Sequence, residues 1–126
     1  MNIYVSPINL EYWNIFANVA HIGHTETFLA TKSMEIGDIL LLYIGKNKDC
    51  PNGVYAIAEV IKPPYITIDN PNDYCYNKLS VIAKITKINR INPIISFEQL
   101  SMFNNHVRST HRINERYISQ IISLID

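Results

Sequence analysis

The sequence predicts an α+β domain in which a small, strongly curved mixed β-sheet approaches a barrel, with helices packed outside. Three observations lead there. The apolar segments are mostly of strand length, and two of them flank a polar turn. One helical apolar stripe follows the first strand, and another closes the chain. The later strands follow one another closely. At 126 residues, 48% hydrophobic and 17% charged, the chain fits a single domain, 1–126, with a core of its own.

Ile3-Tyr4-Val5 reads as a short strand stopped by Ser6-Pro7. Asn9 is placed to cap a helix whose apolar face is Leu10, Trp13, Phe16 and Ala17, which turns the single tryptophan toward the core. The segment 18–27 has no clear period and reads as a loop, with Gly23 free to turn. Met34 to Lys62 is the spine. Gly37-Asp38 opens an apolar run from Ile39 to Ile44, a turn rich in Lys, Asn, Asp, Pro and Gly follows, and a second run spans Val54 to Ile61. The first run holds no polar residue between Asp38 and Tyr43, so both its faces should be buried. In the second, Val54, Ala56, Ala58 and Val60 take one face and Tyr55, Ile57, Glu59 and Ile61 the other.

Pro63-Pro64 ends that strand, and 65–77 is a turn-rich loop with three tyrosines, at 65, 74 and 76. Leu79 to Ile91 is a further strand or pair of strands. Ser96 and Gln99 have the spacing of a capping box and predict a short helix to about Phe103. The basic segment from His106 to Arg112 follows, and Asn114 caps a closing helix striped by Tyr117, Ile118, Ile121, Ile122 and Ile125.

Net charge is zero, but its distribution is uneven. Residues 1–77 carry four lysines against eight acids, and 78–126 carry seven Lys/Arg against three, so a local basic face is available without a basic protein. No run approaches the roughly 18 apolar residues of a membrane helix, and no signal peptide opens the chain. Two cysteines, Cys50 and Cys75, are too few for a disulfide scaffold, and a cytoplasmic protein with free thiols and no membrane partner is expected.

Chemistry is sparsely signalled. There is no nucleophile elbow, phosphate loop or dinucleotide fingerprint. His21 and His24 are three apart, but no further ligand stands at a zinc spacing, so no metal and no cofactor is expected. Glu59 is the one acid inside a strongly apolar strand; its ordinary role there is to face outward or to pair with a nearby cation. Nothing in the sequence requires an enzyme, and no catalytic residue is assigned.

Taken together, these residues resemble the EVE domain family of the PUA-like superfamily, which also includes YTH and ASCH domains. Ile3-Tyr4-Val5 and the segment with Asn9 and Trp13 are similar to the family's opening strand and helix. Gly37-Asp38 through Tyr43, Val54 through Glu59-Val60, Tyr74-Cys75-Tyr76, and Arg112-Ile113-Asn114 with Tyr117 are similar to its later motifs, in the same order. Two positions depart from the pattern: Ala20-His21 stands where the family has Trp-Gly, and Asn77 where it has arginine. The glycine-lysine-glutamate-arginine signature of the ASCH branch is absent.

The resemblance implies a PUA-like barrel with an aromatic-lined pocket for a modified base, flipped from DNA or presented in RNA. The partner expected from it is DNA or RNA containing a modified base, or alternatively a free nucleotide-like small molecule. The residues expected at the pocket are Ser6, Pro7, His21, Ile22, Gly23, Tyr43 and Tyr76, with Arg108 and His111 at its rim. Lys84, Arg108 and Arg112 are the expected contacts to a nucleic-acid backbone.

Overall fold

In the computed structural model, which describes residues 1–104 and 107–126, the apolar runs form one curled eight-stranded sheet. His106, the first residue of the basic segment, lies outside the described residues. β1 (Ile3–Ile8) runs parallel to β3 (Ile39–Ile44), and β3 pairs antiparallel with β4 (Gly53–Val60). β4 pairs antiparallel with β6 (Leu79–Ile88), which carries β2 (Thr25–Leu29) on its other edge. Three two-residue strands complete it: β5 (Tyr65–Ile66) on β6, β7 (Ile95–Ser96) on β4 and β8 (His111–Arg112) on β1. The result is a half-barrel of mixed strands with short helices, the α+β architecture expected.

Two bulges curl the sheet. Leu42 pairs with Ala56 and Tyr43 with Val54, so Tyr55 is an extra residue on β4. Ile57 pairs with Lys87 and Ala58 with Ile85, so Thr86 is extra on β6. An inserted residue bends its strand and adds right-handed twist. It also breaks simple alternation. Tyr55 joins Ala56, Ala58 and Val60 in one core, while Val54 joins Ile57 in the other. The strict two-face reading of this strand is corrected at two residues: Val54 and Tyr55 exchange faces across the bulge.

The sheet is buried on both faces. One core packs Tyr4, Leu40, Leu42, Tyr55 and Ile85 against Phe28 and Ile15. The other packs Val5, Leu41, Tyr43 and Ile57 against Leu100, Ile113, Ile121 and Ile125. β3 contributes to both, as its unbroken apolar run requires. Asp38, 2% exposed, fastens the start of this spine: its carboxylate accepts the backbone N–H groups of Asn2 and Glu35, each at 2.9 Å.

The caps behave as local chemistry dictates. Ser96 and Gln99 form the reciprocal capping box of α2 (Phe97–Ser101). Asn114 caps a 3-10 turn at Glu115–Tyr117 that leads into α3 (Ile118–Ile125), whose buried residues are Ile121 and Ile125. The first helix differs from expectation. Asn9 closes only one turn, accepting the Glu11 N–H on its side chain and those of Tyr12 and Trp13 on its carbonyl. Asn14 then accepts from Phe16 and Ala17 and starts a separate α1 (Ile15–Asn18). Two asparagines each offering the backbone a side-chain partner divide what periodicity alone reads as one helix. Nor does Pro7 stop β1. β8 pairs only with Tyr4 and Val5, so the strand beyond has an open edge where a missing N–H costs no ladder bond.

Candidate functional site

Past the ends of β1 and β3 the chain leaves the sheet in two ordered turns, and between them opens a cleft of about 930 Å3. Pro7, Ile8, Tyr43 and Ile44 form its floor at the strand ends, and the Asn9–Asn14 turn forms one wall with Tyr12 and Trp13. The β3–β4 loop forms another with Lys46, Asn47, Lys48 and Asp49, and Tyr74, Lys78, Val107 and Arg108 close the circuit.

Each wall is held by short-range bonds. Asn47 organises the lysine loop: its amide nitrogen donates to the Gly45 carbonyl at 2.8 Å, and its oxygen accepts from Asp49 and Cys50 at 2.7 and 3.0 Å. Trp13 sets its ring perpendicular to Phe28 with centroids 5.8 Å apart, so it is both a core residue and a cleft wall. Behind this wall, the Arg90 guanidinium donates to the carbonyls of Phe16 and Val19 and ties α1 to the end of β6.

The electrostatics are lopsided. The lining holds four cations, Lys46, Lys48, Lys78 and Arg108, against two acids, Glu11 and Asp49. Among the described residues none of these four cations lies within ion-pair distance of a carboxylate; the His24–Glu26 contact, at 2.9 Å, is elsewhere on the surface. Burial pushes the Tyr43 phenol up, an effect Asn52 partly offsets by hydrogen bonding and Glu98 reinforces. Tyr74 leaves one flank open to solvent, yet burial, followed by the neighbouring Cys75 thiol, raises its phenol strongly. At pH 7 both therefore offer neutral rings and hydroxyl donors.

Of the residues expected at a pocket, the cleft gathers Pro7, Tyr43 and Arg108. Ser6 is buried in β1, one residue short of it. His21, Ile22 and Gly23 form a turn bonded to β6, where the Gly23 N–H meets the Ile85 carbonyl at 2.7 Å, and none of the three lines the cleft. Tyr76 is exposed after Cys75 and does not line the cleft, while Tyr74, two residues earlier, does. His111 and Arg112 form β8 beside Val5 and Tyr4, before β1 reaches the cleft. Lys84 sits opposite Glu59 on β4, four residues along β6 from Ser80, the partner of cleft residue Leu29. That is about 13 Å of strand.

Sequence alone does not single out Tyr12, Lys46, Lys48 and Lys78 as site residues, turns Trp13 to the core, and leaves Tyr74 open between an aromatic wall for a base and packing against the barrel. The signal for some of them was present: a Lys-Asn-Lys turn and a loop of tyrosines. What assembles them is the meeting of four distant segments. Among the described residues no three His, Cys, Asp or Glu side chains come together as a metal site, and His21 and His24 stand with ring centroids 6.3 Å apart. Cys50 and Cys75 are both free thiols.

Among curated proteins, none matches the chain by sequence. Solved structures match its fold along nearly the whole length. A hypothetical protein from Leishmania major superposes with a TM-score of 0.69 at 11% identity, covering 99% of this chain and 94% of that one. A Pseudomonas putida protein gives 0.69 at 13% identity, covering 98% and 99%. Human THYN1, solved in complex with 5-methylcytosine-containing DNA, gives 0.66 at 11% identity, covering 100% and 98%. The sequence model of the EVE domain matches residues 11–123. That match spans the cleft turn, the sheet spine and the closing helix, and with it the chain belongs to the EVE domain family.

Proposed function

We propose that this domain is a non-catalytic nucleic-acid-binding module that seats one base, in modified form, in the cleft. The observation that carries the reading is the coincidence, in a neutral chain, of four unpaired cations with Tyr12, Trp13 and Tyr74 around one opening. Rings offer stacking surfaces to any base, and cations at the rim hold the phosphates. Family membership supports it, as does the 5-methylcytosine-containing DNA bound by the structurally similar human THYN1.

In this reading Tyr74 and Trp13 flank the base, Tyr43 and Pro7 close the floor, and Arg108, Lys46 and Lys48 meet the backbone. Lys84 and Arg112 lie off the cleft and contribute only to a longer-range field. The test is a panel of oligonucleotides that differ by one modified base. The expected result is saturable binding that prefers one modification over its parent, with affinity reduced about tenfold in Tyr74→Ala, the scale of one stacked base. Equal, weak binding of the whole panel with only a steep salt dependence would refute it. Tight binding of a free nucleotide with no gain from the polymer would support the small-molecule alternative instead.

A further inference from the structure

The cleft is too large and too widely charged for one base. Its volume of about 930 Å3 lies at the upper end of the roughly 300–1,000 Å3 of pockets that enclose whole drug-sized ligands. Tyr12 is 80% exposed at its mouth, although the turn that carries it is fixed by three bonds to Asn9. The backbone of this turn is ordered, and the ring it presents at the mouth is free to stack on a base. Trp13, the next residue, sits deeper against Phe28, so the same wall offers rings at two depths.

The cations are spread rather than focused. Lys46 and Lys48 rise from one loop, Lys78 stands beside Tyr74, and Arg108 comes from a separate segment. Four cations from three separate segments can meet more than one phosphate. Elsewhere two of the remaining cations are engaged by carbonyls: Arg90 holds Phe16 and Val19, and Lys87 donates to Ile125 at 2.6 Å. The chain as a whole is neutral, so the field that would draw in the two backbones of a duplex is weak outside the cleft. A single strand also has its bases already unstacked and avoids the flipping cost.

We infer that the cleft binds a single-stranded nucleic-acid segment of roughly two or three nucleotides, with one base seated inside and a neighbouring base stacked on Tyr12. The inference rests on the nucleic-acid reading of the same cleft and adds the form of the ligand.

Trp13 is the only tryptophan and lines the cleft, so its fluorescence reports occupancy directly. The intact chain is titrated with mono-, di-, tri- and hexanucleotides, as DNA and as RNA, and with a hairpin duplex of the same sequence. The two sugar series separate the two sources of single strand. Affinity should rise at least about tenfold from mono- to trinucleotide and then level off, and the duplex should bind at least about tenfold more weakly. Tyr12→Ala should erase most of the gain from mono- to trinucleotide. A mononucleotide binding as tightly as the trinucleotide, or a duplex binding as tightly as the single strand, overturns the inference and leaves base binding intact. No response to any nucleotide or oligomer, checked by anisotropy of labelled oligomers, overturns both.

Discussion

Asp38 fastens the beginning of the sheet spine, and removing its carboxylate has a calculable cost. Its two oxygens accept the N–H groups of Asn2 and Glu35 at 2.9 Å each, in a residue only 2% exposed. Its own carbonyl accepts from Val60 N–H at 2.9 Å, and the next residue's N–H donates to Asn2, so β1, β3 and β4 are joined at this point. Hydrogen bonds to a charged group contribute about 1.5–3 kcal/mol each. Asn2 is half-buried and Glu35 exposed, so water can take up part of what is lost. That places Asp38→Ala near the lower end for two bonds, about 3 kcal/mol. For 126 residues the unfolding entropy is about 0.26 kcal/mol/K, so Tm should fall by about 11 °C. Asp38→Asn keeps the volume but turns an amide donor toward a backbone donor, and should lose about 2 kcal/mol. Urea and thermal unfolding of both variants measure this. A loss under about 1 kcal/mol in Asp38→Asn would show that water, not the carboxylate, satisfies these groups. The cleft lies at the other end of β1 and β3, so ligand affinity measured well below Tm should be unchanged in either variant.

Asn47→Ala removes four side-chain bonds that shape the lysine loop, and being partly exposed it should cost about 1–2 kcal/mol of stability. Its larger effect should be on oligonucleotide binding, weakened severalfold with a shallower salt dependence as Lys46 and Lys48 lose their fixed placement; wild-type affinity and slope would show that the loop is not preorganised. Alkaline pH should destabilise the fold through buried groups whose protons are held more tightly in the folded chain, Tyr74 and Tyr43 among them, with Cys75 and Tyr55 giving the clearest window. Burial raises the Cys75 thiol from its ordinary 9.0 to about 11, partly offset by Tyr74, and burial with the nearby Cys50 raises Tyr55 from 10.0 to about 12. The unfolded chain releases these protons first, so stability is complete below about pH 9 and falls between about 9 and 12, by at most about 1.4 kcal/mol per unit of separation for each group. A urea midpoint that stays level from pH 9 to 11 would contradict this, and Cys75→Ala should remove the earlier part of the fall.

The sequence by itself determined the elements whose instructions are local. The Ile39–Ile44 and Gly53–Val60 hairpin, the Ser96–Gln99 capping box and the Ile121–Ile125 stripe came from periodicity and from caps acting within a few residues. β2 and the two-residue strands were not legible, because each is a strand only by virtue of a partner far along the chain. The bulges at Tyr55 and Thr86 are likewise properties of strand pairs, invisible in either strand alone. The same distinction governs the site. Pro7, Tyr43 and Arg108 were expected at one pocket from the family resemblance alone, since periodicity and spacing say nothing of which distant segments meet. Only the curl of the sheet brings 7–14, 43–49, Tyr74, Lys78 and 107–108 to one opening, and it carries the 21–23 turn to β6 instead. Trp13 shows why a helical stripe could not decide the matter: one side chain can pack on Phe28 and still face the cleft, and which surface stays open depends on what the rest of the chain covers.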